Sequence, residues 1–183
     1  MIENFEKIKN EIAKIILNSA AKTDPEHSKT TLEWLLKMKP DADEALQIAA
    51  LAHDIERGFN GEEAIREKDW EKHFATYDEH KRYHANESAR IISELLMKNN
   101  VDDEFVQRVS QLVKNHEVGG DEDENVLMDA DSMSYMQSNF DYFLEMRGKN
   151  KTKIKLDYMY DRMTETGKQF GKDFYQECLN KLK

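Results

Sequence analysis

The sequence contains few of the residues that cross-link a chain or interrupt its helices. Among 183 residues there are one cysteine, two prolines and seven glycines. Cys178 has no partner within the chain, which excludes an intramolecular disulfide and favours a reducing, intracellular setting. Because proline and glycine are scarce, long segments are free to form helices.

Long hydrophobic runs are missing as well. No segment approaches the roughly 18 consecutive apolar residues that a membrane-spanning helix needs. The first residues, MIENFEKIKNEIAKII, mix acidic and basic charges with apolar residues. They do not form the uninterrupted apolar stretch of a signal peptide. We therefore expect a cytoplasmic protein that does not associate with membranes.

Positive charge is outnumbered by negative charge, with 27 Lys and Arg against 37 Asp and Glu and a net charge of −10. A generally acidic surface repels the phosphate backbone, so binding of bulk nucleic acid is not expected. Small anionic substrates remain compatible, because a bound cation can dominate the field in a cleft. The length suits a single domain over residues 1–183.

Hydrophobic residues recur every three or four positions, as in amphipathic helices, and no segment alternates like a β-strand. The sequence therefore predicts an all-α fold. Asp24 is suited to cap the second helix and Pro25 to occupy its first position. The last predicted helix is expected to break near Gly167 or Gly171. Helices are predicted over residues 3–20, 24–38, 43–57, 80–98, 102–117, 125–146 and 151–181.

Residues 58–79 are polar and aromatic without a strong period. We predict a loop there, with one helical turn around residues 62–75. Loops of this length are often functional lids or disordered. The aromatic residues Trp70, Phe74 and Tyr77 either stack on a base or sugar of a substrate or cover the core.

His53 and Asp54 stand at the end of the most apolar predicted helix, in the run ALQIAALAHDI. Burying an imidazole beside a carboxylate is costly unless both groups are paired or bind a metal ion. Imidazole nitrogen and carboxylate oxygen are common ligands of divalent cations. From this pair alone two alternatives stay open: His53 as a hydrogen-bonded core residue, and Asp54 as a cap of the helix end.

Further histidine and aspartate residues accompany the pair in order along the chain. His27 opens a predicted helix, His84 lies in YHANESARII, His116 in VKNHEVGG and Asp131 in LMDADSMSYM. This order resembles the HD-domain superfamily of metal-dependent phosphohydrolases. There a histidine at a helix start precedes a His-Asp pair, which a distant aspartate follows. The resemblance covers about residues 10–165.

By this resemblance the fold is a single HD domain, a helical bundle of about six to eight helices with a C-terminal helix over residues 151–181. In the Asp-Ala-Asp motif the second aspartate is the family's ligand, so Asp129 is expected to be structural. The resemblance implies that the first metal ion is held by His27, His53, Asp54 and Asp131.

The resemblance also implies a second metal ion, held by His84 and His116. The alternative for both is an exposed histidine at a helix end, and His80 is one turn from His84 and is a candidate to replace it. The sequence departs from the cyclic dinucleotide phosphodiesterase branch of the family. The glycine often found there after His-Asp is replaced by Ile55, followed by Glu56.

The implied activity is that of a phosphomonoesterase or phosphodiesterase. It would hydrolyse a phosphoester of a nucleotide or another small phosphorylated metabolite with a metal-activated water. One or two divalent ions are expected, of Mn, Mg, Ni, Co, Zn or Fe. The candidate catalytic residues are Asp54, Glu56 and Glu117, the glutamates having solvated carboxylates as their alternative. The candidate substrate-binding residues are Arg57, Lys153 and Arg162, from a wider set that includes Lys81, Arg82 and Lys155.

Other functions remain open at this point. Some HD-type folds use the same His and Asp ligands in a di-iron oxygenase. A non-catalytic module that senses a metal or nucleotide would keep the same fold. A purely structural helical protein would leave His53 and Asp54 unexplained. The substrate, the native metal and the oligomeric state are not determined, and a homodimer is one option.

Overall fold

The computed structural model describes residues 2–59 and 72–183. In these two ranges the chain forms helices and no β-strand, which confirms the predicted all-α bundle. A 3-10 helix (Ile55–Gly58) follows α3, and a π-helical turn (Tyr135–Asn139) joins α6 to α7. The α-helices are α1 (Phe5–Ile16), α2 (Asp24–Met38), α3 (Glu44–Ala52), α4 (Tyr77–Lys98), α5 (Asp103–Asn115), α6 (Glu122–Ser134), α7 (Phe140–Asp161) and α8 (Glu165–Lys181).

The amphipathic pattern of α1 and the apolar sequence of α3 build the core. One face of α1 buries Ile8, Ile12 and Ile16. Nearly all of α3 is buried, and it packs against α1, α2, α5 and α6. Since α3 is surrounded by these helices, the residues that follow its carboxyl end, His53 and Asp54, lie in the interior of the bundle.

The predicted second helix has the expected bounds but a different cap. Thr23 occupies the N-cap position, so Asp24 and Pro25 become the first two helical residues. The carboxylate of Asp24 instead accepts hydrogen bonds from Ser19 and from Arg57. Asp24 therefore ties the start of α2 to the segment after α3.

The predicted helix over residues 43–57 ends earlier than expected. α3 stops at Ala52, and a turn at His53 and Asp54 leads into the 3-10 helix. His53 and Asp54 therefore lie in a turn and not in a regular helix. The 3-10 helix packs closely against α1: a Cβ at Gly58 would lie 2.3 Å from the carbonyl oxygen of Ile15.

The carboxyl-terminal helices also differ from the prediction. The predicted break near Gly167 or Gly171 is wrong, because α8 runs through both glycines and begins after Thr164. Thr164 caps α8 by accepting the N–H of Gly167, and its own main-chain N–H is bound by Asp129. The predicted helix over residues 125–146 is interrupted by the π-helical turn. In α7, Gly148 has a φ of +74° and kinks the helix.

The predicted loop over residues 58–79 lies partly outside the described residues, as do Trp70 and most of the predicted helical turn. Within the described part, α4 begins at Tyr77, before the predicted end of the loop. Phe74 and Tyr77 pack against the ring of His80, at 5.6 and 5.7 Å between centroids. In residues 2–59 and 72–183, no helix has the length and hydrophobicity needed to cross a lipid bilayer.

Candidate metal centre

Three buried side chains from separate helical segments meet at the carboxyl end of α3. His27 lies near the start of α2, His53 follows α3, and Asp131 lies in α6. Nε2 of His27 lies 3.2 Å from Nε2 of His53 and 3.0 Å from Oδ1 of Asp131. Nε2 of His53 lies 3.6 Å from the same oxygen. We call His27, His53 and Asp131 the first ligand group.

A second group of buried ligand atoms lies beside the first. His84 comes from α4, and His116 directly follows α5. Their Nε2 atoms lie 2.7 and 4.0 Å from Oδ1 of Asp54. We call Asp54, His84 and His116 the second ligand group; its ligand atoms, like those of the first group, all lie within 4.8 Å of one another.

The carboxylate of Asp54 connects the two groups. Its Oδ1 faces the second group, whereas its Oδ2 lies 3.8 Å from Nε2 of His27 and 3.7 Å from Nε2 of His53. A carboxylate in this position can place one oxygen on each of two cations. All six predicted ligands therefore converge, and Asp54 lies between the two sites.

Hydrogen bonds fix the orientation of the imidazole rings. Nδ1 of His53 donates to the carbonyl oxygen of Ala50, and Nδ1 of His116 donates to that of Val113. A carbonyl oxygen can only accept, so in the neutral rings Nε2 carries the lone pair. These bonds hold both imidazoles in the tautomer that binds a metal through Nε2.

The other two imidazoles are oriented by side chains. Ser134 donates its hydroxyl proton to the carbonyl oxygen of His27, so Nδ1 of His27 donates to Ser134 Oγ. Nδ1 of His84 donates to the carboxylate of Glu56. In all four histidines Nε2 is thus left to face the aspartates, as histidine ligands of metal sites do.

The ligand atoms fit divalent cations. Nε2 of His84 is buried without a hydrogen bond, although Oδ1 of Asp54 lies 2.7 Å away. Nε2 of His27 and Nε2 of His53 approach to 3.2 Å, although both would carry lone pairs in neutral rings. A cation between these atoms would satisfy them, and mixed nitrogen and oxygen ligands suit Mn, Fe, Co, Ni or Zn.

Arginine side chains set the charge of the two aspartates. Burial raises the pKa of Asp54, but the positive charges of Arg57 and the neighbouring histidines lower it by more. Nη1 of Arg57 lies 2.9 Å from Oδ2 of Asp54. The pKa of Asp54 therefore lies well below its usual range. Burial likewise raises the pKa of Asp131, and Arg162 overcomes it. Both aspartates are therefore ionised and able to bind a cation.

The two histidines of the second group differ in their affinity for a proton. Burial lowers the pKa of His84, but the carboxylates of Glu56 and Asp54 outweigh burial and raise it to about 10. Burial lowers the pKa of His116 to about 4, because the opposing carboxylate effects are weaker. The carboxylates around His84 therefore favour positive charge at this position, whether a proton or a divalent cation carries it.

The structure gives Glu56 and Glu117 supporting positions. Glu56 orients His84, as described above. The carboxylate of Glu117 accepts bonds from Arg162, at 2.6 Å, and from the hydroxyl of Tyr158, at 3.1 Å. Burial raises the pKa of Glu117, but Arg162 and Lys155 outweigh it and lower it to about 2. Glu117 is therefore ionised and is not a proton donor at neutral pH.

The three predicted substrate-binding residues lie in different environments. Arg57 lines an open cleft beside both ligand groups. Arg162 is buried, and its guanidinium is bound to Asp131, Glu117 and Ser132, so it positions other residues. Lys153 is exposed and pairs with Asp157 along the surface of α7.

Lys155 lines the cleft where Lys153 does not. Lys81, another residue of the wider predicted set, donates to the hydroxyl of Tyr158 at 2.9 Å. His80 is buried beside His84, with ring centroids 6.5 Å apart, but belongs to neither ligand group in the described chain. Lys155, and not the predicted Lys153, is therefore the lysine of α7 that lines the cleft.

Some supporting residues carried no signal in the sequence. Ser134 lies one turn after Asp131, but nothing in its neighbourhood indicates contact with His27 across the bundle. Tyr158 likewise gave no sign that it would join Lys81 to Glu117. Asp129, expected to be structural, accepts hydrogen bonds from Thr164 at the start of α8 and is part of neither ligand group.

Comparisons with known proteins complete the description of the site. Neither a search of curated proteins nor a search of solved structures found a match. A family model described as a domain of unknown function (DUF4202) matches residues 5–180, a range that includes both ligand groups. Since the match spans nearly the whole sequence, the chain belongs to the DUF4202 family.

Proposed function

We propose that the chain is a metal-dependent phosphohydrolase that hydrolyses a phosphoester of a nucleotide or another small phosphorylated metabolite. The observation that carries the proposal is the position of Asp54, whose two oxygens face separate ligand groups. Two cations held a few ångströms apart by a shared carboxylate are typical of enzymes that act on phosphate esters. The resemblance of the motif order to the HD-domain superfamily supports the same reaction.

The ligand groups would supply the electrophilic part of the chemistry. Divalent ions held there would lower the pKa of water and neutralise charge on the phosphoryl oxygens. The role of Asp54 is to provide one carboxylate oxygen to each group and so to fix the position of one group relative to the other. The role of Arg162 is to hold Asp131, with Nη2 2.5 Å from Oδ2, so that the other oxygen of Asp131 faces the first group.

The cleft provides the place for a substrate. Arg57 contacts Oδ2 of Asp54 at 2.9 Å and is about a third exposed at the cleft, so its guanidinium can also donate to a phosphoryl oxygen. Tyr135, Phe143 and Met159 also line the cleft and add apolar surface to it.

The proposal is tested with protein purified without chelator. Its metal content is measured first, and a panel of phosphomonoesters and phosphodiesters is then assayed with the metal that is found. Asp54→Asn is expected to lose turnover by a factor of about 100 or more, because one shared ligand is removed from both groups. The matched control is Asp141→Asn, an exposed carboxylate that pairs with Lys181 on the surface.

The outcomes separate the alternatives. A metal-loaded protein that hydrolyses no ester on the panel contradicts the proposal, as does an Asp54→Asn variant with unchanged activity. Redox-active iron at one or two ions per chain, without phosphatase activity, would favour the di-iron oxygenase. Stabilisation by a nucleotide without turnover would favour a sensor module.

A further inference from the structure

The π-helical turn after α6 forms part of the cleft. It begins directly after Ser134, which holds the ring of His27. Tyr135 and Asn139, the two ends of the turn, both line the cleft. Such turns occur frequently at functional sites. Asn139 follows Ser134 by five residues, so its main chain lies roughly 7 Å further along the helical axis. The organic part of a molecule bound at the ligand groups can therefore reach this turn.

The carboxamide of Asn139 is buried and has a hydrogen-bond donor to spare. Only 9% of the residue is exposed, and it lines the cleft. It occupies the N-cap position of α7, but its side chain makes no capping hydrogen bond. Its Oδ1 accepts a bond from Ser138 at 3.4 Å, whereas no group among the described residues accepts a bond from its Nδ2. Nδ2 is therefore available to an acceptor that enters the cleft.

The carboxylate of Glu117 adds an acceptor to the same cleft. Its Oε2 binds Arg162 and Tyr158. Its Oε1 accepts no hydrogen bond from the described residues and lies 4.0 Å from Nε2 of His116. An ionised carboxylate can only accept hydrogen bonds, and the amide nitrogen of an asparagine donates them. The cleft thus offers a ligand both an acceptor and a donor.

Opposite charges offset each other in this part of the cleft. Lys155 and Glu117 both line it, and they attract each other electrostatically. A second anionic group on a ligand would be attracted by Lys155 but repelled by Glu117. A hydroxyl group meets no such repulsion, because it can donate to the carboxylate and accept from an amide or ammonium group.

Apolar surface accompanies these polar groups. Tyr135, Phe143 and Met159 line the cleft, and the ring centroids of Tyr135 and Phe143 lie 5.9 Å apart. Ligand sites typically combine such surface with a few polar groups that fix the orientation of the ligand. The carbon atoms of a polyol or sugar suit the apolar side chains, and its hydroxyls suit Asn139 and Glu117.

We propose that Asn139 and Glu117 form a hydroxyl subsite, which selects phosphoesters whose organic group is uncharged and hydroxylated, as in a polyol or sugar. This inference rests on the proposed function for the position of the scissile phosphate. Asn139 is the specificity-determining residue, since it belongs to neither ligand group. A phosphoester with a plain hydrocarbon remainder would bind through the ligand groups and Arg57 alone.

The test uses phosphonates, which cannot be hydrolysed, so that binding is measured apart from turnover. Chains of three, four and five carbons are each prepared in three forms: plain alkyl, with hydroxyls on the last two carbons, and with a terminal carboxylate. Isothermal titration of the full, manganese-loaded chain gives the dissociation constant of each probe. The ratios within one chain length measure the preference for hydroxyls.

At least one hydroxylated probe is expected to bind about tenfold more tightly than its alkyl partner, because it gains two hydrogen bonds. It should also bind more tightly than the carboxylate of equal length. Asn139→Leu, which keeps the size of the side chain, and Asn139→Ala should both lose most of the preference and bind the alkyl probe as before. Asn150→Leu and Asn150→Ala, at an exposed asparagine of α7, are the matched controls.

The subsite is overturned if the natural chain prefers no hydroxylated probe, including the case in which no probe binds, or if it prefers the carboxylates. It is also overturned if either Asn139 variant, shown by circular dichroism to be folded, keeps the preference; where only one of them folds, that one decides. A preference that depends on Asn139, in a protein that turns over no phosphoester, supports the subsite and contradicts the proposed function. Turnover of phosphoesters without the preference contradicts the subsite alone.

Discussion

The hydroxyl of Ser134 is shared by two atoms of His27: it accepts a hydrogen bond from Nδ1 and donates one to the main-chain oxygen, each at 2.8 Å. This pair of bonds joins α6 to α2 and fixes the imidazole with Nε2 towards Asp131. The orientation of His27 therefore depends on a residue that binds no ion itself.

Replacing Ser134 with alanine is expected to weaken metal binding by the first ligand group. Loss of a hydrogen bond that orients a histidine ligand typically lowers metal affinity about 10- to 100-fold. The measurement is a competition titration with a chromophoric chelator. Ser93→Ala is the control, because Ser93 donates to the carbonyl oxygen of Ala89 within its own helix and belongs to neither ligand group. Equal affinities in the two variants would contradict this role of Ser134.

Replacing Glu56 with alanine is expected to weaken metal binding by the second ligand group. Glu56 holds Nδ1 of His84, so its loss should weaken the ion of the second group by about 10-fold or more and leave the first group nearly unchanged. At limiting metal, the content per chain should fall towards one ion. Glu87→Ala, which removes a surface partner of Arg90, is the control. A parallel loss of both ions would show that the groups do not bind separately.

Replacing Gly167 with alanine is expected to destabilise the fold. The new Cβ would lie 2.3 to 2.6 Å from the carboxylate atoms of Asp129, which also holds Thr164 at the start of α8. Overpacking of this kind costs about 1–3 kcal/mol, measurable by urea unfolding. At Gly171 the neighbours are the ends of methionine side chains, at 3.1 to 3.3 Å. Gly171→Ala should therefore cost less, and the reverse ranking would contradict the packing described for α8.

Cys178 is expected to react slowly with thiol reagents in the folded protein. The side chain is buried, and burial raises the pKa of its thiol to about 11, so little thiolate is present near pH 8. The folded state holds this proton more tightly than the unfolded chain does. Its contribution to stability is therefore present below pH 9 and decreases as the pH rises towards 11. Labelling as fast in the native protein as in denaturant would contradict this burial.

The candidate metal ligands were predictable because each of them lies in a short segment whose sequence pattern can be recognised on its own. Burying a histidine and an aspartate at the end of the apolar α3 costs free energy unless they are paired or bind an ion. The order of His27, His84 and Asp131 along the chain then matched the pattern of a known family. Which atom of Asp54 faces which group was not predictable. That depends on the turn that ends α3 at Ala52, and the periodicity of residues 43–57 gave no sign of it.

The basic residues show where the sequence was insufficient. Lys153 and Lys155 are two positions apart, so they lie on nearly opposite sides of α7. The hydrophobic residues of α7 do not mark one buried face, and the kink at Gly148 changes the direction of the helix. Only the packed structure distinguishes the lysine of the cleft from the lysine of the surface.

The ligands of the first group are distributed along most of the chain, from His27 to Asp131. A ribosome must therefore synthesise α6 before that group can be complete, and until then His27 also lacks Ser134, which orients its ring. Until then His53 and Asp54 have only part of their final surroundings. An ion acquired afterwards would connect α2, the end of α3 and α6, segments that are distant in the order of synthesis. Binding of a metal ion by the complete first ligand group would therefore follow the synthesis of α6, and would then stabilise the contacts between these segments.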